Sequence, residues 1–116
     1  MTLGTKQELF ARLLGQLLAQ VYTVPGRACR VGEVFRPPEM CRIYYERGTG
    51  ILSSNHGKKL AVDLFISQHG KVTWDFDDYV SLGIYWEGLH KLCRWGGRMP
   101  KRRDAVHFSL YHRGVI

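Results

Sequence analysis

Ser53-Ser54-Asn55-His56-Gly57-Lys58-Lys59-Leu60-Ala61-Val62-Asp63-Leu64 joins a polar loop to the most strand-like run of the chain, Leu60 to Ile66. Side chains alternate faces along a strand with a period of two, so Ala61 and Asp63 share a face opposite Leu60, Val62 and Leu64. An acid within an apolar strand is costly unless something pairs it. A metal ion would supply that pairing, and so would one of the chain's many arginines. Asp104-Ala105-Val106-His107-Phe108 poses the same question near the other end, because His107 stands between two apolar residues of a last strand expected over Ala105 to Tyr111. If the two strands lie side by side, His107 and Asp63 meet on one face. His56 then sits in the loop before the first strand and Asp104 where the last one begins. Two His and one Asp with a fourth position open make the ligand set of a catalytic zinc site.

Outward from these stretches the chain reads as helices and short strands. Thr5-Lys6-Gln7-Glu8 has the form of a capping box, and Phe10, Leu13, Leu14, Leu17, Leu18 and Val21 recur at helical spacing up to about Tyr22. Pro25-Gly26 ends that helix. A strand is expected over Ala28 to Phe35, delivering Arg36 to its end, where Pro37-Pro38 breaks the pairing and starts a short helix. Met40, Ile43 and Tyr44 are expected to face inward on that helix, which stops at Gly48 and Gly50. Gln68-His69-Gly70-Lys71 reads as a hairpin turn into Val72-Thr73-Trp74. Asp77 or Asp78 is then expected to cap a helix with Tyr79, Leu82, Trp86, Leu89 and Cys93 on one face. Trp95-Gly96-Gly97 forms a tight corner, and Lys101-Arg102-Arg103 an exposed loop. The expected fold class is α+β, one domain over residues 1–116, with a small antiparallel sheet and helices packed on it.

Composition narrows the function classes. At 116 residues and 45% hydrophobic content the chain is long enough for one modest core. Seventeen Lys and Arg against ten Asp and Glu give a net charge of +7, which favours an anionic partner such as nucleic acid, a membrane surface or an acidic cell-wall polymer. Cys29, Cys41 and Cys93 form no C-x-x-C pair and are expected as reduced, mostly buried thiols. Lys6, Glu8 and Arg12 interrupt the apolar N-terminus, so no secretory signal is expected. No run of about 18 apolar residues exists to span a membrane. Taken singly, a strand His is more often structural than a ligand. The set is more specific, because His56, Asp63, His107, Asp104 and Arg36 all fall at element edges.

These residues bring a known family into view. Ser54-Asn55-His56 with Ala61 and Asp63 in register resembles the motif Ser-x-His-x-x-Gly-x-Ala-x-Asp of the zinc D-alanyl-D-alanine carboxypeptidases and phage L-alanyl-D-glutamate endolysins. Asp104 and His107 match its Asp/Glu-x-x-His, following a Trp95-Gly96-Gly97 corner, and Arg36 in Phe35-Arg36-Pro37 looks like the family's early Arg. The order is closest to small prophage-encoded members, with His56-x-x-x-Leu60-Ala61-x-Asp63-Leu64 and a terminal His107-Phe108-Ser109-Leu110. Lys59 stands where larger relatives have Gly. The resemblance runs from about Gln7 to Leu110.

The resemblance implies a hedgehog/D-Ala-D-Ala-peptidase-like fold and Zn2+ held by His56, Asp63 and His107. It also implies Asp104 as general base and acid, Arg36 on the oxyanion or a substrate carboxylate, and Ser54 on the substrate peptide. The implied partner is bacterial peptidoglycan, with no nucleic acid, met by a monomer. The protein would be made in the host cytoplasm and would reach the wall once the inner membrane is permeabilised. Two other readings rest on the same residues: a basic nucleic-acid-binding module, suggested by the charge and Lys101-Arg102-Arg103, and a non-catalytic cell-wall-binding domain on the same fold.

Overall fold

The computed structural model describes residues 1–116. In chain order the elements are α1 (Leu3–Val21), β1 (Arg27–Val31), α2 (Pro38–Glu46), β2 (Ala61–Gln68), β3 (Lys71–Val72), α3 (Asp77–Leu89), β4 (Cys93–Trp95) and β5 (His107–Leu110). Two short 3-10 turns, Asn55–Lys58 and Gly96–Arg98, bracket the functional part of the sheet. All strand pairings are antiparallel, in the order β1-β2-β5-β4 with β3 also on β2. This is the expected α+β class. No helix is long and apolar enough to cross a membrane.

The core lies on the face of β2 that carries Val62, Leu64 and Ile66. There it meets Phe10, Leu13, Leu17 and Val21 of α1, Tyr79, Leu82 and Trp86 of α3, and Phe108 and Leu110 of β5. Trp86 is fully buried among them, edge-on to Phe10 at 5.9 Å and to Phe108 at 6.3 Å. Its indole N–H is shared between the carbonyls of Arg94 and Ser109 at 3.1 and 3.0 Å. A buried indole therefore costs no unpaired donor. Helices α1 and α3 cover this face, so Ala61, Asp63 and Phe65 are left on the other.

Several boundaries differ from expectation for local reasons. Thr2 rather than Thr5 caps α1, its Oγ1 accepting the Thr5 N–H at 3.1 Å, because the helix begins two residues ahead of the expected box. β1 stops at Val31 instead of Phe35, because Gly32 and Glu33 both oppose Asp63: Gly32 N donates to Asp63 O and Asp63 N donates to Glu33 O. That is a β-bulge, and it ends the regular ladder. Cys41, not Met40, Ile43 or Tyr44, is the fully buried side chain of α2. Neither Asp77 nor Asp78 caps α3. Asp75 Oδ1 accepts the Asp77 N–H instead, and Asp78 takes the Thr73 hydroxyl. Cys93 belongs to β4 rather than to the helix, and burial pushes its thiol up to about 12. All three cysteines are free.

Trp95 at the end of β4 links the core to the functional face. Its ring lies against two glycines: a methyl added at Gly83 of α3 would fall 2.1 Å from the ring, and one at Gly97 would fall 2.3 Å from it. Gly83→Ala is therefore expected to overpack and lose about 1–3 kcal/mol. Gly15→Ala, on the exposed middle of α1 with nothing within 4 Å, is expected to gain about 1 kcal/mol from helix propensity. Urea denaturation of the two variants measures both, and the signs should be opposite.

Candidate metal centre

Asp63 sits where β2 is gripped from both sides. The bulge holds its backbone N–H and C=O, and its Cα partner across the sheet is His107 of β5. Partners across a sheet share a face. His56 enters from the 3-10 turn Asn55–Lys58, which Ser54 caps by accepting the His56 N–H at 3.2 Å. Buried Asn55 ties that turn to the end of the chain through the carbonyls of Leu110 and Val115, at 2.9 and 3.0 Å. Lys59 closes the turn in the left-handed region at φ 57. A glycine costs least there, and that is the residue larger members of the resembled family carry.

The three side chains converge. His56 Nδ1 lies 3.1 Å from the Val34 carbonyl, which can only accept, so Nδ1 carries the hydrogen and Nε2 the lone pair. That Nε2 faces Asp63 Oδ1 at 3.4 Å, and His107 Nδ1 faces the same oxygen at 3.6 Å. Asp63 Oδ1 and His107 Nε2 are buried without a hydrogen-bond partner. One ligand atom from each residue can be chosen with all three within 4.8 Å of one another. Electron-pair donors aimed at a common point in a desolvated site need a cation there. Two imidazoles and a carboxylate suit a borderline ion such as zinc. The residues fit the implied metal. Burial opposes ionisation of Asp63, whereas protons on the rings of His107 and His56 would favour it and lower the carboxyl to about 2. With the His56 lone pair turned to Oδ1, a bound cation takes over that role. No arginine bridges Asp63, so the alternative account of this acid does not apply.

One cleft of about 560 Å³ brings this centre together with Arg36, Ser54 and Asp104. Asp104 precedes β5 in a loop shaped by the Trp95-Gly96-Gly97 corner. Its N–H donates to Gly96 O at 2.9 Å, and its own carbonyl accepts the His107 N–H at 3.1 Å. Trp95 Nε1 holds the Ala105 carbonyl at 2.8 Å. Gly96 has no room for a side chain, since a Cβ would lie 2.3 Å from Asp104 O and 2.8 Å from His107 Cβ. Burial pushes the Asp104 carboxyl above its ordinary range; His107 and His56 pull the other way, and the Asp63 charge adds to the rise.

Arg36 is no ordinary surface arginine. Its side chain is 12% exposed and makes an ion pair with Glu33 Oε1 through NH2 at 2.5 Å and Nε at 2.7 Å. Tyr44 of α2 lies under the guanidinium at 4.7 Å, and NH1 reaches Ser54 Oγ at 3.4 Å. Glu33 is the residue sequence reasoning missed. The signal was available in an acid three residues before the early Arg, inside an apolar stretch. Ser54 Oγ accepts from both His56 N and Arg36, which leaves its hydroxyl hydrogen free to donate.

The remaining histidines lie elsewhere. His69 occupies the hairpin turn, His90 Nδ1 accepts the Leu92 N–H, and His112 contacts Lys6 Nζ at 3.1 Å. Glu87 accepts the Trp95 N–H and pairs with Arg98, so it belongs to the corner rather than to the cleft.

No protein-family model matches the chain, and no curated protein matches it. Among solved structures it is similar to the crystal structure of the Serratia marcescens L-Ala D-Glu endopeptidase ChiX. The match has a TM-score of 0.76 and 24% identity, covering 90% of this chain and 79% of that one. At this identity the likeness shows a shared fold, on which function must be argued from the site.

The purified protein is expected to bind one equivalent of zinc, with a rise in its thermal midpoint as bound metal favours the folded state. Affinity should fall on acidification, because imidazoles ligate only when unprotonated. Asp63→Asn should weaken binding by about a hundredfold or more. Isothermal titration of both proteins at two pH values, with thermal melts of the metal-free and zinc-loaded protein, checks these outcomes.

Proposed function

We propose that this protein is a zinc-dependent peptidase that hydrolyses peptide bonds in peptidoglycan stem peptides and serves cell-wall lysis by a phage or prophage. The observation that carries this reading is the shared cleft: three converging donors, the Asp104 carboxyl and an anchored guanidinium line one cavity. Support for the substrate class comes from the fold shared with a protein described as an L-Ala D-Glu endopeptidase and from the motif order His56, Asp63, Asp104, His107. The +7 charge suits an anionic wall.

His56, Asp63 and His107 hold the ion in this reading. When bound, zinc would supply Lewis acidity and make a water easier to deprotonate. Asp104 accepts a proton from the attacking water and returns it to the leaving amine. Arg36, kept in place by Glu33 and Tyr44, stabilises the oxyanion that forms at the scissile carbonyl. Ser54 donates its free hydroxyl hydrogen to the substrate backbone. In this reading the protein would reach the wall after the inner membrane is permeabilised.

Digestion of purified peptidoglycan, with and without a chelator, tests the reading. The expected result is fragment release that stops on chelation and returns with zinc, the fragment masses naming the bond. No release with zinc supplied contradicts it. Asp104→Ala should lower turnover by about a hundredfold or more, and Arg36→Ala should cost about 3 kcal/mol of transition-state stabilisation. Both variants should keep the parent's zinc stoichiometry. Gly96→Ala, by displacing the Asp104 loop and crowding His107, should reduce turnover and weaken zinc binding together.

A further inference from the structure

The basic run Lys101-Arg102-Arg103 is not one patch. Arg103 lays its guanidinium over Phe76, 3.7 Å from the ring centroid, where Phe76 packs on Trp95 at 5.4 Å. Lys101 and Arg102 line the cleft of the metal centre instead. Arg102 donates to the Gly48 carbonyl at 3.0 Å. That bond joins its loop to the segment after α2, whose Thr49, Gly50 and Ile51 line the same cleft.

Three Lys or Arg side chains therefore reach one cavity, and they are not equivalent. The charge of Arg36 is met by Glu33. Lys101 and Arg102 make no ion pair with any carboxylate of the chain. Of the acidic groups lining the cleft, Asp63 faces two imidazoles, while the Asp104 carboxylate and the chain-terminal carboxylate at Ile116 make no ion pair with Lys101 or Arg102. The bond from Arg102 to a neutral carbonyl orients the guanidinium without cancelling its charge. An oriented Arg102 beside Lys101, neither in an ion pair, in a cleft with a few apolar neighbours, Ile51 and Met99 among them, suits a short acidic peptide. A nucleic-acid backbone would call for a continuous basic track, and the turning of Arg103 toward Phe76 interrupts it.

We infer that Lys101 and Arg102 form a carboxylate subsite that reads an acidic residue of the peptide substrate close to the scissile bond. This rests on the peptidase reading above. A carboxylate is recognised through charge-assisted hydrogen bonds, and its carboxamide isostere forfeits most of that interaction.

The test uses the zinc-loaded full chain and two synthetic stem peptides, identical except that one glutamate carboxylate is free in the first and a carboxamide in the second. The parent should cleave the free acid with a kcat/KM at least about tenfold higher, mainly through KM. In Lys101→Ala/Arg102→Ala, at two exposed loop positions, that acid-to-amide ratio should fall toward one. Lys101→Glu should lower it further. Equal rates on both peptides by the parent, or an unchanged ratio in the double variant, overturn the subsite. If neither peptide is cut, the peptidase reading fails separately, and equilibrium binding of the same two peptides decides the subsite. Free-acid preference in the parent that is lost in the double variant upholds it; equal affinity, or no binding, rejects it.

Discussion

The structure depends on a constraint at one oxygen atom. Asp63 Oδ1 is buried, has no hydrogen-bond donor, and is faced by a nitrogen from each of two imidazoles at 3.4 and 3.6 Å. The Val34 carbonyl makes His56 turn its lone pair toward that oxygen. Such an arrangement is unfavourable unless positive charge fills the gap, and the chain offers no arginine to do so. A protein that needed only stability could place an apolar side chain at this position of β2 and avoid the cost.

Much of the fold holds these three side chains in place. The bulge at Gly32 and Glu33 fixes the Asp63 backbone and also places Glu33 to hold Arg36. Asn55 and Ser54 pin the turn that carries His56. Helices α1 and α3 take the opposite face of the sheet, with Trp86 bonded to the carbonyls of two strands. Trp95 transmits that rigidity, since its ring packs on Gly83 in α3 and its N–H anchors the loop between Asp104 and β5. Gly83 and Gly96 are where another chain segment comes too close for a side chain, and Gly97 is where the Trp95 ring lies against its own corner.

What the sequence revealed follows from where the information is local. Alternation along Leu60 to Ile66 shows that Asp63 faces away from Val62 and Leu64, and the helical spacing from Phe10 to Val21 identifies the stripe that reaches the core. The pairing of Asp63 with His107 is not local. It was legible only as a condition, that β2 and β5 be neighbours, and the motif resemblance supplied the reason to expect it. The misplaced boundaries share a cause in backbone competition. Thr2 offers the same cap as Thr5 with more helix behind it, and the bulge opposite Asp63 ends β1 while Val34 and Phe35 still look strand-like. Glu33 was missed because its value lies in a partner, Arg36, whose burial comes from Tyr44 and the turn before β2. The run at Lys101 looked uniform because sequence does not show that Phe76 draws Arg103 away.

X-ray absorption at the zinc edge of the reconstituted protein tests the central claim most directly. The account predicts a first shell of nitrogen and oxygen only, with two imidazole signatures that fall to one in His107→Ala. A shell containing sulfur from Cys29, Cys41 or Cys93, or one unchanged by loss of His107, would contradict it.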